Sequence, residues 1–405
     1  MPASTPAVGW AQGTSPGNRR PHWARGAAPG ARCSSTSATG SISPPCAGPP
    51  TSGCWRGMMG SASASDCGGG SRTAPTVSVV ATVYNEGASI DDLLASLAGQ
   101  TRRPDEVVIV DGGSTDDTVV RLRRAEAAGA LPLRVLEAPG SNISAGRNAA
   151  IAAAAGPVIA CVDAGVRLDR GWLAAIVEPF AGPHPPAVVG GFFVPDARSA
   201  FEVALAATTL PALRDVRPAS FLPSSRSVAF LKAAWEAVGG YPEWLDYCED
   251  LVFDLRLRAA GLRFAFAPQA VVAFRPRPSL AAFFRQYYRY ARGDGKADLW
   301  RRRHAVRYGT YLVAVPAIAA LAAWASPWWA CAYAFGAAAM FATPYRRLVG
   351  LWGGLRPLER LATLGWVPII RLTGDAAKML GYPAGWRWRL ARRGRPELAW
   401  RRGTR

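Results

Sequence analysis

Residues 76–194 predict an α/β domain, a parallel sheet with helices on both faces. Three observations carry that prediction. Apolar, β-branched runs of strand length recur along this stretch, segments with helical spacing separate them, and polar or acidic residues follow the runs.

The first strand is expected over residues 76–84 (TVSVVATVY). A helix follows over 88–98, with Ile90, Leu93, Leu94 and Leu97 on one face. Residues 106–110 (EVVIV) read as a second buried strand, ending in Asp111-Gly112-Gly113. Ser114-Thr115-Asp116 supplies capping side chains for the next helix. A short third strand is expected over 133–136, an Ala-rich helix over 144–155 and a fourth strand over 157–162 (PVIACV). Residues 171–180 read as helix and 187–194 as another strand.

In such sheets ligands bind beyond the carboxyl ends of the strands. Asn85 and Glu86 follow the first strand, Asp111 the second and Asp163 the fourth. One Asp at a strand end is commonly a turn former; acids at three ends define a crevice with a site in it. Glu86 and Asp111 can accept hydrogen bonds there. The Gly112-Gly113 pair lets backbone approach a ligand closely. Arg147 and Asn148 sit early on a helix, near its positive end, where Arg147 could meet an anion.

The chain resembles the family 2 glycosyltransferases. The matching stretches are VSVVATVYNE (77–86), VIVDGGSTDDT (108–118), SAGRNAAI (144–151), VIACVDAG (158–165), GGYPEWLDYCED (239–250) and QYYRY (286–290). They occur in family order and cover about residues 76–300. The resemblance implies a GT-A fold, a mixed, mainly parallel sheet with helices on both faces. It implies a nucleotide-diphosphate sugar as donor, inverting transfer to an acceptor hydroxyl, and a divalent metal, Mg2+ or Mn2+. Glu86, Asp111 and Gly112 take nucleotide-binding roles, with Arg147 and Asn148 beside the diphosphate.

Asp163 matches the first Asp of the family's Asp-X-Asp metal motif, where a hard cation would bridge two phosphates. Here the stretch is Asp163-Ala164-Gly165, so the second carboxylate is missing. Three arrangements remain open: a metal with fewer protein ligands, compensation by Asp169, or a leaving group stabilised mainly by side-chain cations. The resemblance makes Asp250 the general base toward the acceptor hydroxyl, with Glu249 assisting. Gln286, Arg289 and Tyr290 match a Gln-X-X-Arg-Trp motif, with Tyr in place of Trp, and suit diphosphate oxygens and a sugar ring. Pro223-Ser224-Ser225-Arg226 is expected on the acceptor or diphosphate side.

Residues 308–326 and 328–345 contain no charged side chain. Each is long enough for a short span, so a transmembrane hairpin is expected over 301–350. Trp324, Trp328 and Trp329 cluster where an interfacial belt would lie, and Arg301–Arg303, Arg307, Arg346 and Arg347 flank the segments. That places both flanks, and the 76–300 domain, on the cytoplasmic side of the plasma membrane. Residues 358–372 read as an interfacial helix, and the Arg/Trp tail 386–405 suits anionic headgroups.

The protein has 405 residues and a net charge of +19. Residues 76–300 sum to −1, whereas 301–405 carry +15 and 1–75 carry +5. Half the residues are hydrophobic, which excludes a polyelectrolyte without a core. The charge alone would raise nucleic acid as a partner, but no such motif is present and the basic runs flank apolar segments. Residues 1–75 are rich in Gly, Pro, Ser and Ala without apolar period, and are expected to be a disordered leader or to precede the true start. Cys33, Cys46, Cys54 and Cys67 there have no zinc-site spacing. The expected function is membrane-anchored transfer of a sugar to a glycan or lipid-linked acceptor of the cell envelope. The alternative is a catalytically impaired sugar-binding or scaffold protein with the same fold.

Overall fold

The computed structural model describes residues 75–353 and 355–401. The leader therefore falls outside the described residues, apart from Pro75.

β1 (Val77–Val83) is the centre of the first half-sheet, and every one of its residues is buried. β2 (Glu106–Asp111) and β4 (Val158–Cys161) pair with it in parallel on either side, and β3 (Leu133–Glu137) pairs in parallel with β2. A strand covered on both faces gains from apolar residues, hence the valines and alanine of VSVVATV, with buried Ser78 bonded to Glu106 and the Gly156 N–H. α1 (Ser89–Ala98), α2 (Thr118–Ala128) and α3 (Ile143–Ala153) make the crossovers. α2 stops at Gly129, whose φ of 65° suits a left-handed cap. α3 starts where the Asn142 side chain accepts the Ala145 N–H.

The second half-sheet mixes directions. β5 (Val166–Leu168), α4 (Trp172–Val177), β6 (Val188–Pro195), α5 (Ala200–Thr209), β7 (Val228–Leu231), α6 (Lys232–Ala237), α7 (Glu249–Ala259) and β8 (Phe264–Phe274) follow in order. The eight strands lie as β3-β2-β1-β4-β7-β6-β8-β5. β7 is antiparallel to β4 and β6, β8 is parallel to β6, and β5 is antiparallel to β8. The β6–β8 register slips between Gly190 and Phe192. A side chain at Gly191 would run into Ser227 Oγ and the Ala270 carbonyl, so glycine is required at this bulge. One apolar core lies under α1 and α4, and a second on the other face under α3 and α7. The expected sheet with helices on both faces is present.

α8 (Leu280–Ala297) leads into α9 (Arg301–Gly309), a π turn (Thr310–Ala314), α10 (Val315–Trp324) and α11 (Cys331–Val349). Among the described residues only one helical run, Arg301–Trp324, is long and apolar enough to cross a membrane. Two spans were expected. α11 is rich in small Ala and Gly residues and runs through Pro344 to Arg346 and Arg347, which dilutes its apolarity. Those two arginines pair with Asp215 at 3.2 and 2.7 Å.

The helix expected over 358–372 is much longer: α12 (Pro357–Leu390). It lies along α8 and α5. Side chains added at Gly381 or Gly385 would meet the Tyr288 and Arg292 carbonyls of α8, so glycines let the two backbones touch. Part of the Arg/Trp tail is likewise folded back. Trp388 stacks on Trp244 with centroids 6.2 Å apart, and Trp400 Nε1 donates to the Ala297 carbonyl at 3.2 Å. These aromatics pack on the protein rather than standing free for headgroups.

Candidate active site

The turn after β1 is tied to the turn after β2. Asn85, with φ of 53°, accepts the Thr115 N–H at 2.8 Å, and its own N–H donates to Ser114 Oγ at 2.9 Å. The Glu86 and Gly87 N–H groups both donate to Thr118 Oγ1 at 2.9 Å. The Glu86 carboxylate accepts Ser89 Oγ–H at 2.8 Å. Burial first, then the charges of Asp163 and Asp116, hold its pKa above the ordinary range, against the pull of Ser89 and Arg277.

Asp111 is 1% exposed. Its Oδ2 accepts the Gly113 and Ser114 N–H groups at 2.8 Å each, and Oδ1 accepts the Ser114 hydroxyl. Its carboxylate thus builds the turn in which Gly112 and Gly113 sit. Gly113 has φ of 99°, and a Cβ there would lie 3.1 Å from Pro139 Cα. Asn148 is similarly engaged. Its Oδ1 accepts Trp235 Nε1 and the Tyr241 N–H, and its Nδ2 donates to the Tyr241 carbonyl and Glu243 Oε1, all within 3.0 Å. Neither side chain is left open toward a ligand.

Arg147 is the hub. Its side chain is 2% exposed, and it donates to Asp163 Oδ1 at 2.6 Å and Glu249 Oε1 at 2.7 Å. Its guanidinium lies 5.4 Å over the Tyr241 ring. Position five on α3 thus bridges the end of β4 to the start of α7. Asp163 also faces Arg226, whose Nε is 3.6 Å from Oδ2.

Cys248, with φ of 66°, turns the chain into α7. Its Sγ contacts the Tyr290 carbonyl and Asp294 Oδ1 of α8. A side chain at Gly293 would meet the Tyr247 carbonyl at 2.6 Å, so α8 backs directly onto this turn. Glu249 is buried beside Arg147. Burial, then the neighbouring Asp250 charge, push it up to about 7, while Arg147 pulls the other way. Asp250 Oδ1 accepts the Leu251 N–H at 2.7 Å. One turn on, Asp254 is buried with Oδ2 unpartnered, and burial, then Asp250, push its pKa well up.

The QYYRY stretch reaches the site through Tyr290. Gln286 Nε2 donates to the Tyr290 hydroxyl at 3.0 Å, and the charges of Arg226, Arg277 and Asp250 act on that phenol. Arg289 donates to the Tyr247 hydroxyl at 3.0 Å, just before the α7 turn. The fold therefore gathers Glu86, Asp163, Arg147, Glu249, Asp250, Arg226, Gln286 and Tyr290, while Asp111 and Asn148 hold the walls. Tyr241, Asp254 and Arg277 were not singled out from sequence. Tyr241 lies inside the GGYPEWLDYCED stretch, which could have flagged it; a lone Arg277 carries no signal.

A divalent cation does not fit this donor set. Among the described residues no three His, Cys, Asp or Glu side chains gather as metal ligands. Both oxygens of Asp163 face guanidiniums. The second carboxylate position is Gly165, where a Cβ would meet nothing within 4 Å. Asp169 does not compensate, because its Oδ1 accepts the Gly171 N–H at 2.9 Å at the start of α4.

A sheet of this order with a carboxylate at the β4 end and an acidic pair opening α7 defines a GT-A transferase domain. The family description "Glycosyl transferase family 2" matches residues 78–208, and "Glycosyl transferase family group 2" matches 158–357. The chain belongs to glycosyltransferase family 2. It is similar to validoxylamine A glucosyltransferase of Streptomyces hygroscopicus subsp. limoneus, 35% identical over 29% of this chain and 26% of the relative. The chain thus spans about a quarter of that relative's length. It is also similar to glycosyltransferase AglE of Haloferax volcanii, 27% identical over 56% of this chain and 75% of the relative. In fold it is similar to a Pyrobaculum calidifontis mannosyltransferase solved with GDP-Man and Mn2+. That match has a TM-score of 0.51 and 22% identity over 76% of this chain and 88% of the other.

Proposed function

We propose that the chain transfers a sugar, with inversion, from a nucleotide-diphosphate donor to an acceptor hydroxyl. The observation that carries this is the Arg147 bridge, which ties the strand-end Asp163 to Glu249, the neighbour of Asp250 at the start of α7. Asp250 takes the hydroxyl proton as the acceptor oxygen attacks the sugar carbon. The bond from that carbon to the diphosphate oxygen breaks on the opposite face, and the electron pair leaves with the nucleoside diphosphate. Glu249 positions the turn through Arg147. Glu86 and the Gly112-Gly113 backbone offer acceptors and close approach for the nucleoside. The Mg2+ or Mn2+ expected from the family enters no step here, because the donor set around Asp163 does not fit one.

Membrane anchoring is part of this reading. Arg301–Trp324 has the length and apolarity of a span, and Trp324 at its end and Trp328 just past it stand 87% and 81% exposed. The arginines at the start of that run support a cytoplasmic α/β domain, next to a glycan or lipid-linked acceptor. The missing second carboxylate favours the other reading, a sugar-binding protein with impaired catalysis. Purified full-length protein incubated with a panel of nucleotide sugars separates the two: transfer or donor hydrolysis supports the enzyme, and binding with neither sinks it. Release of the protein from membranes by alkaline carbonate would remove the anchor.

A further inference from the structure

The two guanidiniums at Asp163 differ in how far they are committed. Arg147 is buried and makes two short, charge-assisted bonds. Arg226 is 23% exposed, and its contacts are long: 3.6 Å to Asp163 Oδ2 and 3.5 Å to Ser224 Oγ. A guanidinium has five N–H donors in a planar fork. The Tyr290 hydroxyl takes one of those of Arg226 and leaves others for a ligand, while its plane is flanked by aromatic rings, 4.6 Å from the Phe274 centroid and 5.9 Å from Phe193. It comes from the loop just before β7 and meets Asp163 Oδ2, whereas Arg147 meets Oδ1.

Both oxygens of Asp163 face guanidiniums, and Gly165 contributes no second carboxylate. Arg147 is offset by Asp163 and Glu249, whereas Arg226 makes one long carboxylate contact and can still receive a phosphate oxygen. We propose that Arg226 is the residue that receives the donor diphosphate, neutralising the charge that develops on the leaving nucleoside diphosphate in place of a divalent cation. The proposal rests on the transferase reading above. It adds that donor binding by this chain is independent of metal and depends on one guanidinium. Arg is suited to this by its bidentate match to phosphate oxygens, which a lysine would not reproduce.

The test is calorimetric titration of the full chain, in detergent, with UDP, GDP, CDP and dTDP, each in EDTA and in Mn2+. The wild type should bind at least one of the four with the same affinity in both buffers. Arg226→Gln should weaken that binding by roughly ten- to a hundredfold, the loss of a bidentate charge-assisted contact. Arg226→Lys should recover only part of it. Thermal melts of both variants show whether they fold; the wild-type comparison of EDTA with Mn2+ stands without them. Binding only in Mn2+ overturns the proposal and leaves the transferase reading in place. So does unchanged EDTA binding by a folded Arg226→Gln. Absence of binding by any of the four in either buffer overturns both.

Discussion

The two halves of the sheet carry different parts of the chemistry. In the parallel half, β3-β2-β1-β4, the turns after β1 and β2 are held by partners within that half, such as Asp111 with Gly113 and Ser114, and Asn85 with Thr115. In the mixed half, and the helices behind it, the partners come from distant parts of the chain. Arg147 reaches Glu249, Cys248 reaches Tyr290 and Asp294, and Trp388 meets Trp244. The first half provides a rigid crevice wall. The second brings in Asp250, the proposed proton acceptor, with the aromatics and the Arg226 cation. The difference teaches that the acidic strand ends alone do not make the site; α7 and α8 complete it.

The comparison breaks most visibly at Asp250. Asp250→Asn should lower transfer by roughly a hundred- to ten-thousandfold, the range of general-base loss, while nucleotide-sugar binding by calorimetry stays near wild type. Wild-type turnover in that variant would move the base elsewhere. A second test concerns the glycine seam of α12. Gly381→Val should lower stability by about 1–3 kcal/mol in thermal melts, since a side chain there meets the Tyr288 carbonyl. Gly365→Ala on the same helix, with nothing within 4 Å, should instead be neutral or gain about 0.5–1 kcal/mol. Equal effects at the two positions would remove the seam.

A smaller effect follows from Glu249. Its pKa in the folded protein is raised to about 7 by burial and Asp250. The unfolded chain releases that proton near the ordinary value of 4.5, so the native state binds more protons in between. This contribution to stability is present below about pH 4.5 and is lost as pH rises toward 7. Glu249→Gln should flatten that part of the stability–pH curve, as melts from pH 4 to 8 would show; an unchanged slope argues against it. The smallest effect is expected at Asp215→Asn, where Arg346 and Arg347 lose a surface partner, for about 0–1 kcal/mol by melting.

The parallel half was legible in sequence because burial on both faces leaves a mark at every position. The runs 77–83, 106–111 and 158–161 are nearly all apolar and were expected within a residue or two. β8 escaped because Pro268 and Gln269 interrupt its apolar run, and β5 because three residues leave no pattern. Asp163, Arg147, Glu249 and Asp250 were legible through the family's stretches. What Asp111 and Asn148 do was not. Their residue types fit a ligand role, but the partners that occupy Asn148 lie at Tyr241, Trp235 and Glu243, far along the chain. α12 was read too short because Glu359, Arg360 and Arg371 interrupt its apolar face, while the glycines that dock it on α8 carry no hydrophobic signal.

The backbone contact between α8 and α12 has a mechanical consequence. α8 presents Tyr290 and Asp294 to the Cys248 turn on one side and its carbonyls to Gly381 and Gly385 on the other. At Gly381 and Gly385 no side chain separates the two helices, so tilting or sliding α12 there displaces the α8 backbone, and with it the turn ahead of Asp250. A shift of the long helix is therefore passed to the turn that carries Asp250.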